Sequence, residues 1–319
     1  MNRKKIELLA PAGSPEAYRA AVAAGADAVY LGAKSFNARL NAGNFDNKSL
    51  PDIVKDAHIR GVKIYLTLNT LIAEKELKEA RELASFACKE GIDGIIVQDL
   101  GLVSVLKEIA PGLPVHASTQ MTIHNTDGVK AAQALGISRV VLARELSLSE
   151  IENIIRRTGI EAEIFIHGAL CICRSGQCLL SSFIGGRSGN RGRCAQPCRL
   201  PYKIEGVDTS GEYLLSPKDL MTLELMPDIV KTGVAALKIE GRMKSPEYVA
   251  AAVMIYRKYL DLAMADPLQY KVDHRDLHIL QQVFNRGGFT TGYLKGKDKK
   301  LLSIEHPKHW GIPAGTVVT

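Results

Sequence analysis

Five of the six cysteines crowd into one short stretch: Cys171, Cys173, Cys178, Cys194 and Cys198. Four of them are spaced C-x6-C-x15-C-x3-C, and no acidic residue occurs between Glu163 and Glu205. The same segment carries Arg174, Arg187, Arg191, Arg193, Arg199 and Lys203 among many glycines. Thiolates beside cations and backbone N–H donors are stabilised, which is the environment that a metal or iron–sulfur centre requires.

Other uses of cysteine fit this pattern less well. Cys88 belongs to the helical run from Ala80 to Gly91 and reads as a small buried hydrophobe. The remaining five sit among Gly, Ser, Arg and Pro, with no apolar face to bury them. A chain of 319 residues needs no disulfide staples, and Met1-Asn-Arg-Lys-Lys5 lacks an apolar signal stretch. Zinc favours knuckles of two to four intervening residues. Cys194 and Cys198 supply one, but the gap of six between Cys171 and Cys178 suits zinc less well. Ligand chemistry therefore keeps zinc open and favours an iron–sulfur cluster.

The rest of the composition is that of an ordinary globular chain, with 46% hydrophobic and 24% charged residues and a mean hydropathy near zero. No apolar run reaches the roughly 18 residues of a membrane span, so the expected location is cytoplasmic with no membrane partner. A net charge of +7 and a pI near 9.0 favour an anionic partner, leaving nucleic acid and anionic metabolites both open.

The elements that must position the cysteines show in a repeated unit, a glycine followed by a short apolar run. It recurs as Gly25-Ala-Asp-Ala-Val-Tyr-Leu-Gly32, Gly61-Val-Lys-Ile-Tyr-Leu-Thr-Leu-Asn69, Gly91-Ile-Asp-Gly-Ile-Ile-Val-Gln-Asp99, Gly136-Ile-Ser-Arg-Val-Val-Leu-Ala-Arg144 and Gly233-Val-Ala-Ala-Leu-Lys-Ile-Glu-Gly-Arg242. Each glycine reads as a helix C-cap before a buried strand. Ile6 to Ala10, Val115 to Thr119 and Glu163 to His167 complete eight strands. Helical stretches lie between most of them, with Ser14, Ser147 and Ser245 as caps. The pattern predicts an α/β fold, a (β/α)8 TIM-like barrel over residues 1–265 with a cysteine-containing insertion, 168–225, after strand seven. A C-terminal helix and the start of a β domain are expected over 266–319.

Catalysis in such barrels takes place where strands end. The candidate catalytic groups there are His116, His167 and Glu240, accompanied by Asn37, Asn69, Gln98, Asp99, Ser118, Thr119, Gln120 and Glu145. A ring holding Arg39, Arg144 and Arg242 would suit a small di-acid or a phosphate, because guanidinium forks pair with planar oxyanions. The insertion should cap the same mouth. Arg187, Arg191 and Arg193, in a Gly/Arg run, are candidates for gripping RNA phosphates. His306 and His309 in the C-terminal Pro/Lys loop suggest a metal pair but read better as exposed, and Gly315 to Thr319 reads as a strand with no visible partner.

The run Glu163-Ile-Phe-Ile-His-Gly-Ala-Leu-Cys-Ile-Cys-Arg-Ser-Gly-Gln-Cys-Leu-Leu-Ser181 resembles the defining motif of the collagenase-like peptidase family of unassigned catalytic type, number thirty-two. Leu9-Ala-Pro-Ala-Gly13, His116-Ala-Ser-Thr-Gln120, Arg144-Glu-Leu146, Cys194-Ala-Gln-Pro-Cys-Arg199, Leu215-Ser-Pro-Lys-Asp219, Lys238-Ile-Glu-Gly-Arg242 and Phe284-Asn-Arg-Gly287 are similar to it as well. The resemblance implies an RNA base hydroxylase acting on the wobble uridine of tRNA or a cytidine of 23S rRNA. It also implies a [4Fe-4S] cluster on Cys171, Cys178, Cys194 and Cys198, and prephenate as co-substrate. Cys173 departs from that pattern. The alternatives are a collagenase-like peptidase, for which Cys171 and His167 would be nucleophile and base, and a non-catalytic RNA-binding accessory. No His-Glu-x-x-His or Gly-x-Ser-x-Gly motif supports proteolysis.

Overall fold

The computed structural model describes residues 5–209, 211–296, 301–304 and 306–307. Strands β1 (Glu7–Pro11), β2 (Ala28–Gly32), β3 (Lys63–Leu68), β4 (Gly94–Val97), β5 (Val115–Ala117), β6 (Arg139–Val141) and β7 (Glu161–Ala169) run parallel in chain order. The insertion follows with β8 (Tyr213–Pro217) and β9 (Asp219–Met221), and then β10 (Ala236–Ile239) pairs with both β7 and β1, closing an eight-stranded barrel. The predicted barrel and its long insertion after strand seven are therefore present.

Helices α1 (Pro15–Ala23), α2 (Leu50–Ile59), α3 (Leu77–Lys89), α4 (Leu100–Ile109), α5 (Thr126–Ala134) and α6 (Leu148–Thr158) cover the strands from outside. α7 (Leu180–Gly185) lies in the insertion, α8 (Met226–Lys231) precedes β10, and α9 (Pro246–Ala265) follows it. The caps act as expected: Ser14 Oγ accepts from the Ala17 amide at 3.3 Å, and Ser147 and Glu150 form a reciprocal capping box. Such caps contribute about 1 kcal/mol each. Gly91 (φ +86°) and Gly136 (φ +79°) turn the chain out of α3 and α5 in the left-handed region, as a C-cap glycine does. Among the described residues no helix is long and apolar enough to cross a membrane.

The chain after α9 folds back on this framework. α10 (His274–Val283) docks on α9 through Asp276, which accepts from Lys258 Nζ and Tyr259 OH, both at 2.7 Å. β11 (Phe289–Thr290) joins β9, and β12 (Leu302–Ile304) pairs antiparallel with β8. His306 meets the Tyr213 ring edge-on at 5.0 Å. His309 and residues 315–319 lie outside the described residues.

The helix-facing core is apolar, whereas the barrel interior combines a small cluster of Leu9, Ala28, Tyr30, Tyr65 and Ile96 with ion pairs. Inward-pointing Arg139 reaches Glu7 at 2.6 Å, Glu161 at 3.1 Å and Glu163 at 3.6 Å, while Lys238 reaches Glu163 at 2.8 Å and Lys63 reaches Glu7 at 3.3 Å. Three carboxylates thus balance three cations, and Tyr65 donates to Glu7 at 2.9 Å. Removing one member of a buried ionic set leaves an uncompensated charge. Glu163→Ala, which strands Lys238, is expected to cost about 3–5 kcal/mol in urea unfolding. An unchanged midpoint would show that water reaches Lys238.

Candidate active site at the barrel mouth

Above this network the C-terminal strand ends converge on Glu240, the residue after β10. Its carboxylate stands between Arg39 from the β2 loop, at 3.2 Å, and Arg144 from the β6 loop, at 3.6 Å. Burial pushes the Glu240 pKa up, but Arg39, Arg144, Arg242 and Lys238 outweigh it and hold the carboxyl below its usual range. Arg144 lies 4.0 Å above the Phe165 ring, and Lys238 lies 4.3 Å from the Tyr30 ring. Cation–π contacts therefore link the mouth to the charged interior. Two of the three predicted arginines meet at one acid, with the Nε of Arg144 buried and without a partner among the described residues.

The third arginine is held differently. Arg242 is 3% exposed and donates to Thr67 Oγ1 at 2.7 Å, Asn37 Oδ1 at 2.6 Å and Asn44 Oδ1 at 2.8 Å. Desolvation with only neutral acceptors lowers its pKa to about 10. A Cβ on Gly32 would stand 2.3 Å from its guanidinium, so only glycine lets it pass. Arg242 orders the β2 and β3 ends. Other strand-end polar groups are likewise engaged: Asp99 caps α4, Ser118 accepts from the Gln120 amide, and Glu145 accepts from Ser175.

Neither histidine reaches this ring. His116 is buried deep in the barrel, edge-on to Tyr65 at 4.7 Å, and desolvation plus Arg139, Lys238 and Lys63 keep its pKa well below normal. His167 shares the parity of inward-facing Phe165 and should point into the barrel. However, β7 bulges there: Lys238 pairs with Phe165 while Ile239 pairs with His167. One extra residue flips the side chain to the other face. His167 accordingly packs under α9, stacked on Tyr248 at 5.7 Å and tilted against Tyr256 and Phe289, and burial lowers its pKa to about 3.

The insertion is pinned over the mouth by close backbone contacts. A Cβ on Gly192 (φ +73°) would stand 2.1 Å from the Asn37 carbonyl oxygen, and one on Gly176 would stand 2.1 Å from that of Gln120. Arg191 pairs with Glu76 and the Leu71 carbonyl, so it fastens the loop and is withdrawn from the expected phosphate role. Arg199 is similarly spent on Ser216 Oγ (2.7 Å) and the Leu170 carbonyl (2.8 Å). Arg187 and Arg193 remain exposed, joined where Arg187 Nε donates to the Arg193 carbonyl at 3.1 Å.

All six cysteines are free thiols. Burial raises the pKa of Cys178, and it raises that of Cys198 to about 11. Cys171 and Cys194 are near enough to add to both shifts. The Gln196 amide donates to Cys194 Sγ at 3.3 Å, and the Leu180 backbone bonds Cys178. Among the described residues no three His, Cys, Asp or Glu side chains stand close enough to share a single metal ion. A tetrahedral zinc would need its thiolates roughly 3.8 Å apart.

The model of peptidase family U32 matches residues 13–303. The chain belongs to peptidase family U32. The U32 chain is 39% identical over 317 residues to tRNA hydroxylation protein P1 of Bacillus subtilis, covering 96% of itself and 75% of that protein. It is 37% identical to the 23S rRNA 5-hydroxycytidine C2501 synthase of Escherichia coli, over 98% of itself but 49% of that enzyme. It is also 36% identical to a collagenase of Porphyromonas gingivalis, over 93% of itself and 75% of that protein.

One further group at the mouth of the U32 barrel escaped the sequence reading. Lys244, in the loop after β10, lies against the Phe284 ring. Burial, helped by Arg286, lowers its pKa to about 7. Its place four residues after Glu240 was the available signal.

The depressed His167 sets a pH dependence. The folded state keeps the ring neutral while the unfolded chain takes a proton below about 6.5, so stability is lost as pH falls through that value towards 3. His167→Phe should flatten the dependence of unfolding free energy on pH between 6.5 and 5 by up to about 1.4 kcal/mol per pH unit. An unaltered slope would mean that native His167 titrates freely.

Proposed function

We propose that this U32 chain is a cytoplasmic enzyme that hydroxylates a base in RNA, using a [4Fe-4S] cluster on Cys171, Cys178, Cys194 and Cys198 and a small di-acid, prephenate or a close analogue. The observation that carries this reading is the acid-free thiol segment pinned over the Arg39–Glu240–Arg144 mouth by Gly192, Gly176 and Arg191. Two relatives named for RNA hydroxylation, matched over nearly the whole chain, support it.

The donor set fits such a group. N–H donors at Cys178 and Cys194 suit thiolate ligands, and a cluster's positive charge would offset the burial that raises the pKa of Cys178 and Cys198. When bound, the cluster would supply electron transfer or a binding position for the oxygen donor. Arg39 and Arg144 would grip the di-acid, since each guanidinium has donors beyond those facing Glu240. Glu240 is better suited to being their fixed counter-charge than a proton acceptor, because the surrounding cations stabilise its ionised form. Arg187 and Arg193 would meet RNA phosphates.

The peptidase reading is weakened by the bulge in β7. The base proposed for Cys171, His167, is enclosed by Tyr248, Tyr256 and Phe289 under α9.

Complementing a strain that lacks the gene, followed by nucleoside mass spectrometry of its tRNA and rRNA, tests the proposal. The wild-type chain should restore one hydroxylated pyrimidine. Cys194→Ala should abolish it, and Arg144→Ala should reduce it about 10- to 100-fold. Full restoration by Cys194→Ala would overturn the cluster-dependent mechanism.

A further inference from the structure

The insertion also carries an apolar surface that the catalytic reading leaves unused. Phe183, on α7, is 83% exposed, and its neighbour Ile184 is 62% exposed. A Phe left in water forgoes most of the free energy its burial would supply, so an aromatic displayed this fully points to a partner.

Three observations identify the partner's chemistry. First, the display is built in: Ser181, on the buried side of α7, accepts from the Ala195 amide at 2.9 Å, which ties this helix to the loop of Cys194 and turns Phe183 outward. Second, cations follow the ring closely in the chain. The Gly186 amide returns to the Ser182 carbonyl (2.9 Å) and the Arg187 amide to that of Ser181 (3.1 Å), keeping exposed Arg187 within a turn of Phe183, with Arg193 bonded beside it. Third, no carboxylate occurs anywhere between residues 164 and 204, so the side chains of the insertion itself complement an anion. Exposed aromatics beside basic side chains are how proteins hold unpaired bases, with the ring taking a base face and the cations taking the flanking phosphates.

We propose that Phe183 is a stacking platform for an unpaired base of single-stranded RNA, next to the base presented to the barrel mouth, with Arg187 and Arg193 on the adjoining phosphates. This deepens the RNA reading and rests on it. Phe183 acts by positioning the strand and takes no part in bond making.

The test is fluorescence anisotropy of the purified full chain with a labelled 12-nucleotide oligouridine and with a 12-base-pair RNA duplex, across a salt series. The expected result is tighter binding of the single strand, about ten-fold weaker binding by Phe183→Ala and by Phe183→Leu, and near-normal binding by Phe183→Trp. The salt slope should be unchanged in Phe183→Ala but shallower in Arg187→Gln/Arg193→Gln. Wild-type binding with unchanged affinity in Phe183→Ala, or full rescue by leucine, would overturn stacking while leaving the RNA reading intact. Failure of the wild-type chain to bind either RNA would sink both. Phosphatidylglycerol vesicle binding or self-association lost in Phe183→Ala, with RNA affinity unaltered, would assign the surface to a membrane or a second copy and overturn the proposal.

Discussion

The carboxylate of Glu240, enclosed between two guanidiniums, holds the two sides of the barrel mouth together. Arg39 and Arg144 come from loops on different sides of the mouth and would repel across it without that charge. The backbone around Glu240 is fixed as firmly as its side chain: its amide donates to the His167 carbonyl and its own carbonyl accepts from Tyr248 OH, both at 2.9 Å. Beneath it, Lys238 and Arg139 continue the alternation of charge down the barrel to Glu163 and Glu7. Replacing a buried ionic set with apolar residues is often neutral or stabilising, whereas removing a single member leaves an uncompensated charge.

The insertion inherits its geometry from that mouth. Gly192 and Gly176 admit backbone oxygens of the β2 and β5 loops where any side chain would collide, and Arg191 crosses to Glu76. The thiols are therefore carried on a segment fastened to the barrel at several points. A metal centre needs ligands positioned by such fixed supports. Meanwhile α7 turns its apolar face outward. One loop thus combines an anchored inner side with a basic, aromatic outer side.

Much of this was legible in the chain. The eight strands followed from glycine C-caps before apolar runs, because buried parallel strands leave that signature. The cysteine insertion and its position over the mouth followed from strand order alone, and Arg39, Arg144 and Glu240 from their places at strand ends. What stayed hidden depended on single-residue geometry or distant pairing. His167 was expected at the mouth from its place at a strand end, and the extra residue in β7 turned it to α9. Nothing local marks Arg191 as the partner of Glu76, 115 residues earlier. Arg242 looked like its two neighbours, yet Asn37, Asn44 and Thr67 claim it. The pairing of β11 and β12 with strands of the insertion has no sequence signal either.

The central claim is that the five-thiol segment over the Glu240 site holds an iron–sulfur cluster, and metal analysis tests it most directly. Protein purified without oxygen should contain about four irons and four sulfides per chain and absorb broadly near 400 nm, with that absorbance lost in Cys194→Ala. One zinc per chain with no iron or sulfide would contradict the account and make these cysteines a structural site.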